Sequence, residues 1–230
     1  MTSTASFLFA LQLSDSALPT GRFAHSYALE EFVIREPELG EQELAELVRT
    51  MLVEVVAPLD GVALAEAHRL SSLPDLEGLV ALDRAVTARK ITPSSRHAST
   101  TCGRRLAALV PTLTDDATAA TFAGHIARGA TDGNLAVVEG VVTRALRIEA
   151  MDAVLIELRA TSAALLSAAV RLGRVSATRA QAVATSLIPT ICNALDVVAS
   201  VTPTEMRAVG PEFDIAAIWH GSREGKLFAT

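Results

Sequence analysis

Aromatic residues make up only 4% of this 230-residue chain, which carries a single tryptophan, a single tyrosine and two cysteines. Cys102 and Cys192 stand alone, with no C-x-x-C pair, so neither a thiol redox motif nor a zinc site is supported, and two buried thiols in a cytoplasmic protein are expected. Lysine is almost absent: only Lys90 and Lys226 occur, and the remaining positive charge is arginine. With a net charge of −6 and no basic run, the chain lacks the electrostatic footprint of a nucleic-acid binder. It has no Gly-x-Ser-x-Gly elbow and no GxxxxGK[ST] loop, so neither a serine hydrolase nor GTP binding by this chain is expected. Asp115-Asp116 lacks the later aspartate of a magnesium–diphosphate site, and Asp132-Gly133-Asn134 has too few carboxylates for a calcium loop. None of the five histidines (His25, His68, His97, His125, His220) pairs with another His or Cys at i+3 or i+4, so no metal ligand set and no tightly bound cofactor are expected. The apolar patch Phe7 to Leu13 has no basic residue before it and makes a poor signal peptide. The segment from Ala180 to Val201 has Arg179 at its edge and Pro189, Asn193 and Asp196 inside, which argues against a membrane span.

Half of the residues are hydrophobic, mostly Ala, Leu, Val and Ile, which suits close packing of helices. A mean hydropathy of +0.36 is high for a soluble monomer. Two explanations stay open, a large alanine-rich core or an apolar face covered by a partner or a second copy. Helical periodicity dominates. From Glu41, apolar residues fall at Leu44, Leu47, Val48, Met51, Leu52 and Val55, with Glu43, Glu46, Arg49 and Glu54 opposite. Pro58 and Asp60-Gly61 are expected to interrupt this stripe, with a short helix following to Leu70. Further helices are predicted over Asp75 to Lys90, Arg96 to Val110, Ala117 to Arg128, around Leu135 to Leu146 and over Met151 to Leu172. A last one starts at a Ser176 cap and runs towards Ser200, bent at Pro189. No segment alternates apolar with polar residues. The pattern predicts an all-α fold, a single compact helical domain of roughly eight to ten helices over 1–210, followed by a C-terminal interaction tail over 211–230.

The densest cluster of special residues runs from Leu13 to Glu31, LSDSALPTGRFAHSYALEE. Pro19 fixes φ, Gly21 permits a positive φ or a close approach, and Ser26 is placed to cap a helix whose apolar face begins at Leu29 and Phe32. This stretch resembles the N-terminal signature of the UreF family of urease accessory proteins, roughly LSDSxLPxGxFxHSxGLE. Four later segments are also similar to that family. Lys90 to Leu106 contains Arg96, Ala98-Ser99 and Gly103-Arg104. Gly133 to Gly140, GNLAVVEG, is similar to a GHxPVxxG pattern, with Asn134 and Ala136 where the pattern has His and Pro. Leu165 to Leu172, LLSAAVRL, matches the family's long helix. The ending from Ile218 to Phe228 resembles the family tail, with Glu224 at its Tyr and Lys226 at its Arg.

The resemblance implies a non-catalytic, all-helical scaffold that dimerises in the cytoplasm. It implies that the chain joins UreD (also called UreH), the GTPase UreG and apo-urease, modulates that GTPase, and serves nickel insertion. Nickel delivery and GTP then belong to the partner complex. Carried over on matching residues, partner-binding or gating positions are Ser14, Asp15, Pro19, Gly21, Phe23, His25, Ser26, Leu29, Glu30, Arg96, Ser99, Gly103 and Arg104. Ser167, Ala168, Ala169 and Leu172 are expected in dimer or helix packing, and Trp219, His220, Leu227 and Phe228 in tail contacts. Two other readings remain: a helical enzyme whose polar site joins Asp15, His25 and Ser26 with Arg96 and Arg104, and an unrelated helical dimerisation module. An enzyme needs those groups convergent in a pocket, whereas a scaffold needs them at a surface or seam.

Overall fold

The computed structural model describes residues 3–229. Among the described residues there are twelve α-helices and no strand. They are α1 (Thr4–Ser14), α2 (Leu29–Arg35), α3 (Glu41–Thr50), α4 (Val62–Ser72), α5 (Leu76–Arg89), α6 (Pro93–Leu113), α7 (Ala117–Ala127), α8 (Leu135–Ala145), α9 (Ala150–Arg171), α10 (Ala177–Ser186), α11 (Ile188–Ser200) and α12 (Pro211–Ser222). One turn of 3-10 helix covers Arg22–Ala24. Side-chain caps set several of the starts. Asp75 accepts from Gly78 N, Thr92 from Ser95 N, Asp116 from Ala119 N and Ser176 from Arg179 N, each satisfying one orphan amide.

Three local expectations are corrected. Ser26 does not cap α2. Ala28 occupies the N-cap position in the left-handed region, at φ 66°, and offers no side-chain acceptor. Pro58 and Asp60-Gly61 do not break the chain. Met51–Gly61 is a π-helical segment that joins α3 to α4 without a gap. A π turn is wider than an α turn, which accommodates a residue with no N–H and frees carbonyls from the usual ladder. Two of those carbonyls are used elsewhere: Pro58 O accepts from Arg207 N at 3.2 Å and Glu54 O from Val209 N at 2.9 Å, seating the 201–210 connection. Finally, the helix expected to bend at Pro189 breaks instead at Leu187, where the α10 and α11 axes diverge by 45°. Pro189 then falls in the first turn of α11, where a missing N–H leaves no bond unmade.

Helices α4, α8 and α9 form the centre. The α4–α8 contact is so close that a Cβ at Gly140 would lie 2.4 Å from Leu64 O and 2.7 Å from Ala67 Cβ. Small residues thus set the interaxial distance, as the alanine-rich composition implies. Helix α9 is long and apolar enough by length and composition to cross a membrane, but 67% of that window is buried inside the fold, as in the core helix of a globular domain. The N-terminal motif, α2 and α12 lie together on one side, with Phe32 of α2 edge-on to Phe213 of α12 at 5.3 Å between ring centroids.

Candidate functional site

The first half of the motif is exposed and makes a turn. Asp15 accepts from Ala17 N at 2.8 Å, Ser14 Oγ donates to Ala10 O, and Pro19 faces solvent. From Thr20 onward the motif turns inward. Arg22, His25, Ser26, Leu29, Glu30 and Glu31 are all buried, and Gly21 holds a left-handed φ of 83° beside the Arg105 guanidinium. Phe23 is half-buried, and its carbonyl accepts from Arg171 Nη2. Asp15 is engaged with its own turn at the exposed start of the motif, whereas His25 and Ser26 are buried, so the three are not gathered in one exposed cleft. Burial, with the nearby His97 and Arg105 charges, lowers the His25 pKa and keeps its imidazole neutral.

The acidic pair that closes the motif holds the C-terminal segment. Glu30 accepts from His220 at 2.9 Å and from the backbone amides of Leu227 and Phe228 at 2.8 and 3.1 Å. Burial alone would raise its pKa; the two amides and His220 outweigh it and hold the carboxyl below its ordinary range. Glu31, fully buried, accepts from both Nε and Nη2 of Arg223 at 2.9 Å and from Arg35 at 2.7 Å. The Arg223 bonds are the main reason that its pKa is also lowered. Three further contacts complete the junction. Ala229 N donates to Ala24 O, Arg171 lies over the Phe228 ring at 4.2 Å, and Arg35 lies over Trp219 at 3.3 Å. Motif and tail are therefore one structural unit. His220 and Phe228 are inside it, whereas Trp219 and Leu227 are exposed, beside exposed Ile215 and Ile218.

Beneath the motif sits a charge cluster that sequence reasoning missed. Arg22 bonds Glu139 of α8 at 2.6 Å, Glu157 of α9 at 2.5 Å and Thr161 at 3.1 Å. One guanidinium cannot neutralise two carboxylates. Burial and the Glu157 charge push Glu139 well above the carboxylate range, while Arg22 keeps Glu157 ionised. Glu139 Oε2 is buried with no hydrogen-bond partner among the described residues. Burial also raises the neighbouring Tyr27 phenol and pushes the Cys102 thiol up to about 11, so both stay neutral, whereas Cys192, expected to be buried, is exposed on α11. A mostly apolar cavity of about 130 Å³ lies between these groups and α6, with a Lys90–Asp60 ion pair of 2.8 Å in its wall. No group of three or more His, Cys, Asp or Glu side chains disposed to hold a metal occurs among the described residues.

The second group of candidate residues serves the seam between α6 and the 129–135 loop. Arg96 donates to Lys90 O and Ile91 O, holding the start of α6. Ser99 Oγ accepts from Leu135 N at 3.3 Å, satisfying an orphan amide of α8. Gly103 admits the loop backbone: a Cβ there would lie 2.1 Å from Gly133 O. Arg104 Nε donates to Asp132 O at 2.9 Å. The same loop is closed by Asp83, whose buried carboxylate accepts from Thr131 Oγ1, Gly133 N and Asn134 N. Asn134 Nδ2 returns bonds to Asp83 and Thr87, so this side chain acts as a loop clasp. In α9, Ala168 and Ala169 are core residues, while Ser167 borders a shallow groove against α10 and Leu172 is half-buried at the helix end. A signal for Arg22, Glu31 and Asp83 was within reach: charged residues at positions where the helical stripe or the motif demands burial.

A family model described as UreF matches residues 39–188 of the chain. Urease accessory protein UreF 2 of Brucella canis is 30% identical over 226 residues, covering 98% of this chain and 93% of that protein. Urease accessory protein UreF of Trichodesmium erythraeum is 29% identical over 97% of this chain and 96% of its own length. That of Paenarthrobacter aurescens is 27% identical over 99% and 100%.

Proposed function

The chain belongs to the UreF family of urease accessory proteins, which are not enzymes, and from that premise we propose that it is the helical scaffold on which urease is loaded with nickel. In this reading it works in the cytoplasm as a homodimer, joins UreD (UreH) to the GTPase UreG and to apo-urease, and modulates the GTPase. Nickel and GTP are handled by the partners.

The observation that carries the reading is the junction of motif and tail. Glu30 and Glu31 tie the N-terminal signature to residues 220–228, and the joined surface exposes Ile218, Trp219 and Leu227. Exposed aliphatic and aromatic side chains on a rigidly held support are the usual anchors of a protein interface. Glu30 and Glu31 are consumed in holding that support, which is what a docking platform requires.

The test is reconstitution. UreD, UreG, apo-urease, nickel and GTP are combined with this chain or with a form ending before Phe213. The full chain should form the complex and restore urease activity. Truncation should leave the helical body folded and weaken UreD binding by about tenfold, on the order of 1.4 kcal/mol. Equal UreD affinity for the two forms would remove the tail from this role, and failure of the full chain to join UreD and UreG would remove the scaffold reading.

A further inference from the structure

The cavity beneath the motif reaches the surface along α12. Met51, Val56 and Phe213 form its buried wall, and Ala98, Asp214 and Ala217 are its half-buried lining. Asp214 stands apart from comparable carboxylates. Asp60, Glu66, Asp116 and Asp132 are half-buried as it is, and each meets a cation or a hydroxyl. The Asp214 carboxylate meets neither among the described residues. Lys90, the cation in the same cavity wall, gives Nζ to both oxygens of Asp60, at 2.8 and 2.9 Å. Burial and the Glu212 charge hold the Asp214 carboxyl above its ordinary range, with no positive charge to offset them. The outward side of the same helix continues the site. Ile218 lies one turn beyond Asp214 and is exposed, as are Ile215 and Trp219. A carboxylate without a counter-charge thus sits between an apolar cavity and the platform to which the scaffold reading assigns a partner.

We propose that the partner seated on α12 inserts a lysine side chain into this cavity, with its aliphatic stem along Met51, Val56 and Phe213 and its ammonium on Asp214. This rests on the scaffold reading and adds the chemistry of the contact. Size and charge select lysine. A cavity of about 150 Å³ holds a benzene ring, so one of about 130 Å³ takes an unbranched stem of four or five carbons. An ammonium has three donors, which one carboxylate and water at the mouth satisfy. A guanidinium would bring five N–H groups to the same single carboxylate and leave some unpaired. A second copy is a poor source of the cation. Its lysines are Lys90, held in the wall by Asp60, and Lys226, whose Nζ bonds Gly221 O.

The experiment uses the full chain with its methionine methyl groups labelled for NMR. Met51 lines the cavity, and Met151 and Met206 lie outside the lining and serve as controls. The chain is titrated with n-pentylammonium, n-pentanol and pentanoate at one ionic strength. The Met51 signal should shift saturably with the amine, about tenfold more tightly than with the alcohol, and should not move with the carboxylate. Asp214→Asn should bring the amine down to the affinity of the alcohol, whose own binding shows that the cavity is intact. Ala217→Leu narrows the mouth and should abolish both shifts. UreD is then titrated against wild type and Asp214→Asn. The variant should bind about tenfold less tightly with an unchanged melting temperature, and n-pentylammonium should compete with UreD for wild type only. An unmoved Met51, equal affinity for amine and alcohol, or a shift that survives Ala217→Leu overturns the proposal. So does amine binding at Asp214 with equal UreD affinity for wild type and variant, which assigns the cavity to a free small amine. Self-association of wild type that Asp214→Asn abolishes overturns it in favour of a second copy. If wild type and variant bind UreD equally, only this inference falls; if neither binds UreD, the scaffold reading falls with it.

Discussion

Buried charge decides the chemistry of single residues in this molecule. Arg22, Glu139 and Glu157 share one dry site in which only one carboxylate can be ionised against the guanidinium. Glu139 is the one held neutral, with its folded pKa above the ordinary 4.5. The folded state then binds more protons than the unfolded chain once the pH passes that value, so stability falls as pH rises towards the folded pKa. Glu139→Gln removes this penalty while keeping an acceptor for Arg22. Thermal melts should coincide with wild type near about pH 4 and lie above it near about pH 8. Glu30 and Glu31 behave in the opposite way. Their pKa values are lowered, so their contribution is complete above 4.5 and is lost as pH falls through the folded values. Trp219, the single tryptophan, lies under Arg35 and reports this directly. On acidification its fluorescence should change before helical circular dichroism does. Glu30→Gln should raise amide exchange across 223–229 by about tenfold at neutral pH, since bonds to a charged acceptor are worth roughly 1.5–3 kcal/mol. Neither charge cluster was legible as a site in sequence, because the bonds that join it across the fold link residues 117 to 198 positions apart.

At the scale of elements, regular local patterns were readable and tertiary substitutions were not. The stripe of α3 follows from 3.6-residue periodicity, and the Ser176 cap from its place before α10. Ser26 looked like an equally good cap, but it is fully buried and α2 begins instead at Ala28. The left-handed φ there carries a strain of about 1–2 kcal/mol that glycine, at the corresponding place of the family signature, avoids. Pro58 read as a break because proline cannot donate; the 201–210 connection uses the carbonyls that the π turn frees, and the helix continues. Gly103 is the element-scale test. Its Cβ position collides with backbone at 133–135, which cannot rotate away like a side chain. Gly103→Ala should destabilise by about 1–3 kcal/mol and should loosen the Asp83–Asn134 clasp, seen as faster exchange at Gly133 and Asn134. Equal stability of the alanine variant would show that the seam is softer than its geometry implies.

At the scale of the whole molecule, both explanations of the high apolar content find material. A continuous core runs from Leu29 to Phe228, while Phe7, Leu8 and Leu11 of α1 and Ile215, Ile218 and Trp219 of α12 remain exposed. The tail read as a separate element because it follows Pro211 and mixes aromatics with charge. In the fold, α12 packs on α2 through Phe213, and His220 and Phe228 are buried. Removing residues 213–230 should therefore lower the melting temperature as well as weaken assembly, because it exposes Phe32, strands Glu30 without its donors and leaves Glu31 only Arg35. A Glu30→Ala, Glu31→Ala variant of the truncated form should recover part of that loss; scanning calorimetry of the two truncated forms checks it.

What the sequence by itself determined was the helical class, the positions of most helices and, through the dense Leu13–Glu31 motif, the family. These depend on near neighbours along the chain: periodicity, caps and turn residues act within a few positions. Tertiary structure alone decided that the motif's two glutamates face the C-terminus, that Arg22 divides itself between two carboxylates, and that Pro58 is absorbed by a π turn. Each of these turns on whether a distant group supplies the missing donor, acceptor or counter-charge. A buried polar group is costly unless satisfied, so its partner is specified by the folded geometry and leaves no local pattern to read.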